Sequence, residues 1–141
     1  MNRDCLFCKI ADKKIPAEVV YEDGRTVAFL DINPRAPAHT VVIPKYHSET
    51  IADLPDAEVC PLFLAIKKVA DLLVKSLKAE GLTIGINQGR ASGQVVDHLH
   101  VHLLPRFKSD GGSSVHGVVH NPPEESLQEV ARKLREYKDK K

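Results

Sequence analysis

His98-Leu99-His100-Val101-His102-Leu103-Leu104 sets three of the chain's seven histidines at strict two-residue spacing, with apolar residues between and after them. Along a β-strand successive side chains point to opposite faces, so residues i, i+2 and i+4 line one of them. Read as a strand, the run places His98, His100 and His102 in one imidazole row, with Leu99, Val101 and Leu103 against the core. A helix would scatter the same three rings around its cylinder. The alternation therefore predicts a half-buried strand that carries chemistry on its open face.

Outward from this run, the chain reads as alternating strands and helices. Upstream, Glu18-Val19-Val20-Tyr21-Glu22 and Thr26-Val27-Ala28-Phe29-Leu30 flank Asp23-Gly24, a strong hairpin signal. Thr40-Val41-Val42-Ile43-Pro44 is β-branched and predicts a third strand, and Thr83-Ile84-Gly85-Ile86-Asn87 a fourth. Between them Val59, Leu62, Phe63, Ile66, Val69, Ala70, Leu73 and Leu77 recur at helical spacing, a helix closed by Gly81 and bent or begun at Pro61. Residues 88–94 form a polar, glycine-bearing loop, and Gly111-Gly112-Ser113-Ser114 has linker chemistry. A last helix is expected to be capped by Asn121, with Pro122 at its first position and Leu127, Val130, Ala131 and Leu134 on one apolar face. The expected architecture is α+β: about five mainly antiparallel strands, one long central helix and a C-terminal helix.

Length and charge narrow the function. A chain of 141 residues fits one domain, residues 1–141. A formal net charge of +1, with both signs spread along the chain, predicts neither nucleic-acid binding nor attachment to a membrane surface. No apolar run approaches the ~18 residues of a membrane span. Met1-Asn2-Arg3-Asp4 leads into no signal-peptide apolar region, so a cytoplasmic protein is expected. The three cysteines lack the spacing of a secreted disulfide framework, and Cys60 reads as a small buried apolar residue. His39, His116 and His120 read as surface or loop residues, the last two near a pocket rim.

A neutral imidazole is a good nucleophile near pH 7 when a backbone carbonyl fixes its other nitrogen. A second imidazole nearby can donate a proton to a leaving group or steady a phosphoryl oxygen. Two blander readings stand beside this one: a row of ordinary exposed histidines, or a metal site built from His-x-His, which could itself be catalytic. Cys5-x-x-Cys8 is half of a zinc pattern and needs two more ligands, for which His47 and His98 are the partners considered; two buried thiols beside two pocket histidines is the alternative. Asp31 could equally begin the turn at Asn33-Pro34, and Gln94 and Asn87 could cap loop and strand ends.

The histidine run resembles the His-φ-His-φ-His-φ-φ signature of the histidine triad (HIT) family of nucleotide hydrolases and transferases. Residues 29–37, then Val42-Ile43-Pro44-Lys45-Tyr46-His47, then Gly93-Gln94 ahead of the histidines, look like family sequence in the same order, over about residues 4–106. Residues 107–141 supply the loop and helix that follow. The resemblance implies a homodimeric α+β fold whose two sheets join. It implies that His100 attacks the α-phosphorus of a purine nucleotide derivative to give a nucleotidyl-histidine, which water resolves to a nucleoside monophosphate. His102 would contact phosphoryl oxygens and assist the leaving group. Gln94 and Asn87 match positions beside the phosphate, Asp31 the residue that meets the ribose hydroxyls, and Leu6, Phe7, Ile10, Phe29 and Ile32 apolar positions around the base.

His102 stands where a transferase branch of the family carries Gln, which favours hydrolysis. Val95 stands where many phosphoramidase members carry Ser, and the chain has no Trp, so their C-terminal segment is not matched. Resemblance to a bacterial subgroup implies a structural zinc held by Cys5, Cys8, His47 and His98, with no cofactor in the catalytic step. A purine-nucleotide sensor or scaffold with only slow hydrolysis is the competing function, to be separated by turnover against AMP affinity.

Overall fold

The computed structural model describes residues 4–139. Five strands form one sheet in the order β1-β2-β3-β5-β4, antiparallel at every pairing. They are β1 (Val19–Glu22), β2 (Thr26–Leu30), β3 (Thr40–Pro44), β4 (Gly81–Gly85) and β5 (Val101–Arg106), with helices α1 (Leu6–Ala11), α2 (Asp56–Leu77) and α3 (Leu127–Glu136). The β1–β2 hairpin is held at Asp23, whose Oδ1 accepts the Arg25 and Thr26 amides at 2.8 Å each.

Each face of the sheet has its own helix. The long helix α2 lays Leu62, Ile66, Val69 and Leu73 on Ala28, Val42, Leu99, Val101 and Leu103. The opposite face, built from Val27, Phe29, Val41 and Ile43, is covered by Cys5, Phe7, Cys8, Ile10 and Ala11 of the N-terminal segment. Strands β2 and β3 are therefore buried on both faces, which is why they read as continuous apolar runs. This second layer is the one that bears on chemistry.

Several boundaries differ from expectation. The ladder of β5 begins at Val101, so His98 and His100 precede the strand. Their backbone serves a bend instead: the Leu99 amide donates to Ser48 O at 2.6 Å. Helix α2 begins at Asp56, five residues before Pro61, and ends at Leu77 with Lys78 in the left-handed region at φ 54°. Gly81 is therefore not its cap but the first residue of β4, opposite Arg106. The fourth strand lies two residues earlier than its β-branched pattern suggests, because the pairing with β5 runs on to Arg106. Helix α3 starts after Ser126, whose Oγ accepts the Glu129 amide at 3.2 Å, and not at Asn121. Pro123 disfavours helical backbone at Pro122, and Ser126-x-x-Glu129 supplies the better cap. Val59 and Phe63 turn outward on α2, as does Cys60, which is exposed rather than buried. No helix among the described residues is long and apolar enough to cross a membrane.

Candidate active site

The alternation of residues 98–103 holds although the ladder covers only part of it. Leu99, Val101 and Leu103 enter the α2 core, and the three histidines turn to the α1 face. That face is not open. His98 is fully buried, His100 is 8% exposed and His102 is half-buried. Phe7, presented by α1, stands edge-on to His100 at 5.1 Å and to His98 at 6.0 Å, with Phe29 against its other side at 5.5 Å.

Hydrogen bonds give each ring a distinct proton arrangement. A carbonyl oxygen only accepts, so the ring nitrogen facing it carries the hydrogen. His100 Nδ1 lies 2.7 Å from His98 O, which leaves Nε2 with the free lone pair. His98 Nε2 lies 2.8 Å from Pro44 O, which leaves its Nδ1 lone pair facing Cys5 Sγ at 3.4 Å and Cys8 Sγ at 3.5 Å. Burial drives the His98 pKa down to about 4, so the ring is neutral at pH 7. His102 is likewise lowered to about 4, first by burial and then by the neighbouring His100 and His39.

Cys5, Cys8, His47 and His98 converge as a group. One donor atom from each lies within 4.8 Å of the others, and His47 Nδ1 is 3.2 Å from Cys8 Sγ. These four side chains could hold a metal ion. Cys5 comes to the cluster through local geometry, since its Sγ accepts the Cys8 amide at the start of α1. A cleft lined by Leu6, Glu49, Val95 and Val96 opens beside Cys5 and His47.

The remaining expected residues fall around this row. Phe7, Ile10 and Phe29 are buried under it, whereas Leu6 is exposed and Ile32 is 92% exposed, so these two are not core. Asp31 serves its turn, with Oδ1 accepting the Asn33 amide at 2.8 Å, and its Oδ2 also sits 3.6 Å from His39 Nε2. Gln94 is buried and its amide is engaged with backbone: Oε1 accepts from Gly89, and Nε2 donates to Glu49 O and Val96 O. It fixes the 88–97 loop, which also needs Gly93 at φ 101°. Asn87 is exposed two residues past the end of β4, whose last residue, Gly85, pairs with His102.

One member of the site was misread from sequence. His39 is not a surface residue; it is 5% exposed, and its Nε2 lies 2.9 Å from His102 Nδ1. The signal was the two-residue step from Val41, which pairs with His102 across the β3–β5 ladder. His116 and His120 are exposed in the loop before α3, as expected.

Known proteins resemble this chain in sequence and in fold. Residues 12–109 match the HIT domain. A HIT-like protein of Methanocaldococcus jannaschii, MJ0866, is 46% identical over 131 residues, covering 93% of this chain and 98% of that one. An adenosine 5′-monophosphoramidase of Candida albicans is 34% identical over 139 residues, covering 96% and 91%. The crystal structure of a HIT family member from Bacillus subtilis superposes with a TM-score of 0.85 at 34% identity, over 99% of this chain and all of that one.

Proposed function

This chain belongs to the HIT family, and on that premise we propose that it is a hydrolase acting at the α-phosphate of purine nucleotide derivatives, with His100 as nucleophile. The observation that carries the reading is the 2.7 Å bond from His100 Nδ1–H to His98 O. In the neutral ring this bond leaves Nε2 with its lone pair, which an attacking nitrogen needs. In the first step Nε2 bonds to the α-phosphorus and the bond to the leaving group breaks, giving a nucleotidyl-histidine. Water then displaces His100 and releases a nucleoside monophosphate. His102 contacts the phosphoryl oxygens and the leaving group.

Exposed Leu6 and Ile32, above a floor of Phe7, Ile10 and Phe29, are suited to cover a purine base. Asp31 meets the ribose hydroxyls, and Asn87 and the Gln94 loop flank the phosphate. The reaction named for the C. albicans relative supports adenosine phosphoramidates as substrates; dinucleoside polyphosphates offer the same α-phosphorus. Zinc is the metal we assign to Cys5, Cys8, His47 and His98. A tetrahedral zinc sets nitrogen and sulfur ligands about 3.5 Å apart, against 3.2–3.5 Å here. Bound there, it would cross-link the N-terminal segment to the sheet, and His98 would in turn hold His100. The chain acts as a homodimer, a reading supported by the edge position of β4, with Ile84 exposed on it, and by the exposed Leu127 and Leu134 of α3.

Release of AMP from adenosine phosphoramidates and diadenosine polyphosphates tests the proposal. His100→Ala should abolish release while AMP still binds. Turnover retained in that variant overturns the assignment, and tight AMP binding by the unaltered protein without turnover favours a sensor.

A further inference from the structure

The loop that leads into the histidine row is tied together by one cation. Arg90, in the short turn Arg90–Ser92, reaches forward over its own loop. Its Nη1 donates to Gln94 O at 2.7 Å and to Val95 O at 2.9 Å, and its Nη2 pairs with Asp97 Oδ1 at 2.9 Å. In an extended chain successive carbonyls point opposite ways, so one nitrogen reaches both only because the backbone curls here. A trans peptide sets its N–H against its C=O, and none of the described peptides is cis. The Val95 and Val96 amides therefore leave on the side away from Arg90. Among the described residues neither amide has a protein acceptor. Two successive amides presented on one side are suited to an anion.

Position and charge favour a phosphoryl group as that anion. Val96 packs on the layer of Phe7 and Phe29, and Phe7 also meets His100, so this turn lies on the histidine side of the sheet. A guanidinium on the carbonyl oxygens polarises both peptides and makes their N–H groups stronger donors. We propose that Arg90 is a positioning residue, which turns the Val95 and Val96 amides onto the α-phosphoryl group and passes part of its charge to them without entering the site. Its role rests on the α-phosphate hydrolysis proposed above. Alignment of the two peptides carries the effect, not the ion pair: the Arg90 and Asp97 side chains are 67% and 57% exposed, where such a pair contributes little. The curl is closed by the Gln94 amide, which donates to Gly89 O at 3.1 Å, and by Gly93 in the left-handed region.

Backbone 15N–1H spectra of the full chain, titrated with AMP and with adenosine, test this without turnover. In the unaltered protein AMP should move the Val95 and Val96 amide protons downfield, and adenosine should not. Arg90→Met should shrink both shifts and weaken AMP binding roughly tenfold, the size of one hydrogen bond to a charged group, while adenosine binds as before. That gap should persist when salt is raised from about 0.15 M to about 0.5 M, which screens a charge acting through solvent but not a backbone geometry. Val95 and Val96 amides that ignore AMP in the unaltered protein overturn the proposal. So does an unchanged AMP affinity in Arg90→Met, an equal loss of adenosine binding, or a gap that closes at high salt. A protein that gives the expected spectra without hydrolysis would count against the proposed reaction and leave the role of Arg90 intact.

Discussion

Acidification should destabilise this fold through His102, and the structure sets the amount. The ring is half-buried and hydrogen-bonded to His39 at Nδ1, and its pKa is lowered to about 4. In the unfolded chain it titrates near 6.5. Between these values the unfolded state binds the extra proton, so stability rises with pH. The contribution is complete above pH 6.5 and is lost as pH falls toward 4. Linkage makes the loss about 2 kcal/mol by pH 5 and about 3 kcal/mol by pH 4. That is a large share of the ~5–15 kcal/mol that stabilises a typical domain. Carboxylates and the cysteine-histidine cluster also respond to acid, so the informative quantity is a difference. Urea unfolding at pH 7, 6, 5 and 4.5 is measured for the unaltered protein and for His102→Gln, at fixed zinc and ionic strength. The unaltered protein should lose about 2 kcal/mol more than the variant between pH 7 and pH 5. Parallel pH profiles would refute the reasoning, since His102 would then titrate alike in both states.

Two further perturbations address the supports of the row. Phe7→Ala removes a ring packed on Phe29, His98 and His100; unfolding should become about 3 kcal/mol easier, and a change below about 1 kcal/mol would mean that the α1 layer does not brace the histidines. Elemental analysis should find one zinc per chain in the purified protein and far less in Cys5→Ser or Cys8→Ser, with kcat reduced more than KM is raised. Substoichiometric zinc that Cys5→Ser leaves unchanged would remove the metal assignment.

The parts of this molecule that repeat a pattern were readable from the chain, and those that depend on a partner layer were not. β2 appears at its full extent as an apolar flank of the Asp23-Gly24 turn and β3 as a β-branched run, and the inward set Leu99, Val101 and Leu103 follows from alternation alone. α1 escaped notice because six residues hold too little periodicity, and its cap is a cysteine sulfur rather than a Ser or Asp side chain. His39 was hidden for a related reason. Val41, Val42 and Ile43 are apolar on both faces of a strand covered on both sides, so the two-residue step from Val41 to His39 becomes informative only once Val41 is seen to pair with His102. The early start of the histidine row was masked too: alternation continues through residues 98–100, although their hydrogen bonds go to Pro44 and Ser48 rather than to a ladder.

The central claim is a covalent intermediate on His100, and the stereochemical course at phosphorus tests it most directly. An adenosine phosphoramidate with a chiral α-phosphorothioate centre would be hydrolysed in isotopically labelled water and the product configuration determined. Two in-line displacements, the first by His100 and the second by water, predict overall retention. Inversion would mean that water attacks the substrate directly, and would contradict the account.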